Sequence, residues 1–159
     1  LKRQSEYSGI VHHMLMQKNI LGEIYDQVED RTGMPFWKAT LTAATHGGKV
    51  IVIPDNGTDH TITLPVPNLG LTFRFMYGGA AADATDVSIH TSASTVHYKG
   101  GITHLDTNAD NVAVIANGPG HYRLKIDTPG AIDITIVGFS STVYYMFGNA
   151  TTATVPAFS

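Results

Sequence analysis

The segment HLDTNADN, residues 104–111, places the side-chain oxygens of Asp106, Asn108 and Asp110 at every second position, as loops that surround calcium do. No Glu stands where a bidentate closing ligand would follow, and Asp/Asn runs between strands usually form Asx turns, so a turn is the expected reading. DNGTD, residues 55–59, reads the same way. Eight histidines are the other source of reactive groups. His12 and His13 are adjacent and would diverge on a helix. His90 and His97 flank an expected turn, while His46, His60 and His121 each stand beside Gly or Asp. A cupin-type metal site would need a His-x-His pair and a downstream Glu, which is absent, so each histidine is expected to face solvent or to serve as a hydrogen-bonded structural group. Gly-x-Ser-x-Gly, His-Glu-x-x-His, the phosphate-cradling Gly-Lys-Ser/Thr and the dinucleotide fingerprint are all missing. The expectation is a protein that is not an enzyme, with no catalytic residue, no cofactor and no metal.

Trp37, Tyr98, Tyr144 and Tyr145 could line a sugar-binding face, because aromatic rings stack on the apolar faces of pyranoses. No cluster of Asn, Asp or Arg accompanies the single Trp, so packing in a core or between subunits is the expected role.

The elements that would position these residues change character near Gly33. Before it, Ile10, Met14, Leu21, Tyr25 and Val28 fall at helical spacing, and Ile20, Ile24 and Val28 repeat it. Ser8 suits an N-cap, and RTGMP ends the pattern with Gly33 at a C-terminal cap position and Pro35 behind it. Residues 1–35 therefore read as a helical arm, and its stripe of Ile10, Met14, Leu21, Ile24, Tyr25 and Val28 reads as a surface for a partner or another copy.

From Phe36 onward short apolar or alternating runs recur at roughly 8 to 12 residue intervals, as in a sandwich or barrel. Strands are expected at 37–42, 49–53, 61–64, 71–77, 87–91, 95–98, 112–116, 122–126, 132–137 and 143–147. The fold class is mainly β: an antiparallel sandwich of jelly-roll type over residues 36–150, with an extended tail at 151–159. Alternation sends Leu71, Phe73, Phe75 and Tyr77 to one face, and Ile132, Ile134 and Ile136 likewise inward. Val50 to Ile53 is apolar on both faces, which suits either a central strand covered on each side or a strand at a subunit contact.

The chain of 159 residues fits one domain with an appended arm. Charged residues make up only 14% of it, against roughly 25% in ordinary soluble proteins. So sparse a charge suits an exterior partly covered by other protein copies. A net charge of -3 without a Lys/Arg cluster disfavours nucleic acid as a partner. Cysteine is absent, which excludes disulfides and thiol chemistry. No apolar run of signal-peptide length follows Lys2 and Arg3, and none is long enough to span a bilayer, so no membrane partner is expected.

GKVIVIP (48–54), ITLPVPNLGLTFRF (62–75), GGITHLDT (100–107), TPGAIDITIVG (128–138), YYMFG (144–148) and PAF (156–158) resemble, in sequence order, a family of β-rich virion proteins of tailed phages, many of them marine and cyanobacterial. Family members usually carry Gly-x-x-x-Trp-Tyr before the last conserved Gly; here Gly138 is followed by Phe139 to Val143 and then Tyr144-Tyr145. The resemblance implies a head decoration or cement protein on the capsid exterior, a homotrimer seated on the major capsid protein. It also admits a fibre or spike module that binds host glycans, and the arm before Gly33 lies outside it.

Overall fold

The structure is a computed structural model that describes residues 38–79, 85–106 and 110–159. The arm at 1–35, with Ile10, Met14, Leu21, Ile24, Tyr25 and Val28, lies outside these residues, as do Trp37 and Asn108. The described chain is mainly β, with 56% of it in strands. In chain order these are β1 (Lys38–Thr40), β2 (Lys49–Val52), β3 (His60–Thr63), β4 (Thr72–Gly78), β5 (Val87–His90), β6 (His97–Asp106), β7 (Val112–Asn117), β8 (Arg123–Ile126), β9 (Ala131–Ser140), β10 (Val143–Thr152) and β11 (Ala157–Phe158). Between β1 and β2 lies a four-residue helix, α1 (Ala43–His46), that the strand spacing did not anticipate. Thr42 caps it by accepting from the Thr45 N–H at 3.2 Å.

Two open sheets result, one ordered β1-β3-β5-β8-β11 and the other β2-β4-β9-β10-β6-β7. The expectation of purely antiparallel sheets is corrected: β1–β3, β3–β5, β2–β4 and β10–β6 are parallel pairs. From β1 to β6 the chain changes sheet at every step, so a strand returns to its own sheet only after crossing the other layer. That crossing restores its original direction, whereas a hairpin would reverse it. Only β6–β7 and β9–β10 are neighbours in both sequence and space, and both pairs are antiparallel.

One apolar core fills the space between the sheets. Ile62, Leu64, Val87, Ile89, Leu124 and Ile126 enter from the smaller sheet, and Phe73, Phe75, Ile132, Ile134, Ile136 and Met146 from the larger. Leu71 joins the core only partly. Buried tyrosines tie the layers together: Tyr98 on β6 donates to the Ile89 carbonyl of β5 at 3.2 Å, and Tyr144 on β10 donates to the Pro65 carbonyl at 3.0 Å. Residues of the expected tail are built into the sheets. Thr151 and Thr152 end β10, and Ala157 and Phe158 pair with β8. In the turn TPG the left-handed backbone falls on Thr128, with φ 40, whose N–H is held by Asp86 Oδ1 at 3.1 Å.

Candidate binding surface

Four of the six histidines among the described residues hydrogen-bond to the backbone. His60 and His104 are buried, and Nε2 of each donates to a backbone carbonyl, of Pro54 and Thr152 respectively, at 2.9 Å. Nδ1 of His46 accepts from the Thr42 N–H at 3.0 Å, and Nδ1 of His121 accepts from the Asn117 N–H at 3.2 Å. The carboxylates of DNGTD are also occupied. Asp55 accepts from the Tyr77 hydroxyl at 3.0 Å, Asn56 Oδ1 from the Thr58 N–H at 3.3 Å, and Asp59 from the Asp86 N–H at 2.9 Å. In HLDTNADN, Asn111 Oδ1 accepts from the Asp106 N–H at 3.1 Å. Among the described residues no three His, Asp or Glu side chains group as metal ligands do.

Of the aromatics singled out in the sequence, Tyr98 and Tyr144 are fully buried, in the core-packing role expected of them. Burial raises the phenol pKa of each, and for Tyr98 the neighbouring Tyr144 adds to the effect. Tyr145, the residue between the inward Tyr144 and Met146, points the other way and is 47% exposed.

The outer surface of the larger sheet follows from its registers. One row runs Val50, Arg74, Thr135, Phe147 from β2 to β10, and continues past the Met146–Gly100 pair to Gly101 on β6 and Ile115 on β7. The row on one side reads Thr72, Val137, Tyr145, Lys99, Asn117, and that on the other reads Val52, Met76, Asp133, Asn149, Thr103, Ala113. Two features stand out on this face.

The first is a hollow of about 520 Å³ over β6, between β10 and β7. Its floor is backbone, because Gly100 and Gly101 bring no side chains. Both glycines are demanded by packing. Gly100 has φ +93, and a Cβ there would strike the Met146 carbonyl and lie 3.1 Å from the Tyr145 ring. A Cβ on Gly101 would strike the Val114 carbonyl. Phe147, 50% exposed, and Ile115, 66% exposed, form its sides. Sequence reasoning had singled out Tyr145 as a candidate ligand-facing ring but not Phe147 or Ile115, and the glycine pair entered only within the segment GGITHLDT that carries the resemblance; the signal was there in KGGIT, a double glycine that breaks an alternating stretch.

The second is the outer surface of β2. Ile51 and Ile53 are buried, while Val50 and Val52 are 37% and 48% exposed. Met76 of β4 extends the apolar strip beside Val52. Among the described residues β2 ends the larger sheet and its outer face is not covered. Between strip and hollow, Arg74 holds Asp133 through Nε at 2.8 Å and Nη2 at 2.7 Å. That hydrogen bonding, with the attraction of the charges, raises the Arg74 pKa and lowers that of Asp133.

No protein-family profile, curated protein or solved structure matches the chain.

Proposed function

We propose that the chain is a structural protein of a tailed-phage virion: a head decoration or cement protein that self-associates as a homotrimer and seats on the major capsid lattice at the particle exterior. The order of the six sequence blocks supports the phage assignment. The structural observation that carries the reading is β2, a strand apolar on both faces that ends its sheet. Edge placement among the described residues supports the subunit contact, one of the two roles its sequence allows. An apolar edge strand offers backbone groups beside exposed apolar side chains, the combination through which sheets add another chain. A cement protein works by burying surface across several capsid subunits, which raises the free energy of separating them, and it needs no reacting group.

The finer architecture belongs to the same reading. Strands that alternate between two layers around one core support a sandwich of jelly-roll type, though with parallel pairs that the purely antiparallel form lacks. The amphipathic arm expected over residues 1–35 is then the variable docking element. Antibodies against the purified chain test the assignment on electron micrographs of the particles that carry it. Label on the head at lattice positions is expected. Label confined to fibres or spikes, or protein absent from purified particles, would overturn it.

A further inference from the structure

We propose that the hollow over Gly100 and Gly101 is a saccharide site in which a pyranose ring lies against Phe147 and Tyr145. The argument rests on the hollow alone and is independent of the virion reading. The hollow lies on β10, β6 and β7, at the opposite end of the sheet from the apolar β2 strip, so both surfaces can be used at once.

The fold builds the hollow and keeps it open. The close approach of β6 to its neighbours requires glycine at both floor positions, so no side chain can fill the space. β10 and β7 lie two strand spacings apart, about 10 Å, which leaves room for one flat ring above the β6 backbone. The volume of about 520 Å³ falls in the range of small-ligand sites.

The lining selects the ligand. Phe147, Tyr145 and Ile115 present apolar surface to water on a face where nothing within the described fold covers them. An aromatic ring in that position stacks well on the C–H face of a pyranose. Thr103 lines the hollow at one end, while Asn149 beside it, and Lys99 with Asn117 at the other end, stand just beyond the lining. The Thr103 hydroxyl can donate and accept where a ring hydroxyl would lie. An acyl chain would leave that hydroxyl unused. A phosphate or nucleic acid would find one lysine, Lys99, where it needs a cluster. Apolar faces with hydroxyls around the edge are the chemistry of a sugar.

The test uses the full chain with isotope-labelled amides. Methyl β-glucopyranoside, methyl α-mannopyranoside, N-acetylglucosamine and glucuronic acid are titrated to millimolar concentration, with hexanoate as an apolar control. At least one pyranose should shift the Gly100, Gly101 and Ile115 amides. Phe147→Ala and Tyr145→Ala should each weaken that binding by roughly three- to tenfold without lowering the melting temperature, since both rings are half in water. Phe147→Trp should retain it, and Met76→Ala, at the far end of the sheet, should leave it unchanged. The proposal fails if no sugar moves these amides, if the shifts centre elsewhere, or if Phe147→Ala and Tyr145→Ala bind like the wild type. It also fails if hexanoate takes the hollow in preference to every sugar. None of these outcomes bears on particle labelling, so the two readings stand or fall separately.

Discussion

His90 stands directly across from Arg123 in the antiparallel pair of β5 and β8. Partial burial, and then the positive charge of Arg123, lower its pKa below the ordinary 6.5. The folded protein therefore favours the neutral ring, while the unfolded chain takes up the proton first. Stability from this source is complete above about pH 6.5 and is lost as pH falls through the folded pKa. His90→Gln removes the titration and keeps a polar side chain of similar reach. Its melting temperature should fall less than that of the wild type between about pH 7.5 and about pH 5. Equal slopes for the two proteins would show that the environment of His90 is not as described. That a histidine here is structural could be read from the absence of ligand spacing around it. Its depressed pKa could not, because Arg123 lies far along the chain and meets it only through pairing.

At the level of elements, β9 is the strand on which the larger sheet depends. It lies between β4 and β10, and Ile134 sits opposite Phe75 on one side and Gly148 on the other, fully buried. Ile134→Ala should cost about 2–5 kcal/mol in denaturant unfolding, from lost transfer energy and the cavity left behind. Ile134→Asp should fail to fold stably, since it would bury a carboxylate without a partner. If either variant melts with the wild type, the inward face of β9 is misassigned. The alternation of Ile132, Ile134 and Ile136 with Asp133 and Thr135 made this strand legible without coordinates. β6 was legible only at its start. The expected strand stopped at Tyr98 because two glycines interrupt the alternation, yet β6 continues through them to Asp106. Paired with β10 on one side and β7 on the other, it needs no local propensity there.

For the whole molecule, the decisive surface is the edge of the larger sheet. If the chain forms the proposed trimer and β2 mediates it, the wild type should run as a trimer in light scattering and the double variant Val50→Lys, Val52→Lys as a monomer. Its melting temperature should stay close to that of an isolated subunit, because both valines point to water. Charge on an edge strand is the usual device that keeps sheets apart. A variant that remains trimeric would move the contact to another part of the chain, with the arm at residues 1–35 the first to test by deletion.

The sequence by itself determined most of where the chain runs extended and most of the side chains that turn inward. Those properties are local: a strand alternates with period two, and its apolar residues select the buried face whatever it pairs with. The ten expected strands, the inward Phe73, Phe75 and Ile134, and the mainly β class all rest on that periodicity. Tertiary structure alone decided which strands are neighbours, and so that both sheets are mixed. It also decided that β2 ends a sheet among the described residues although its composition equally suits a centre, and that Tyr98 and Tyr144 are sealed in the core while Tyr145 faces water. The hollow is the clearest case. Gly100 and Gly101 are adjacent in sequence, but the rings and the aliphatic wall around them arrive from β10 and β7 only when long-range pairing sets the registers.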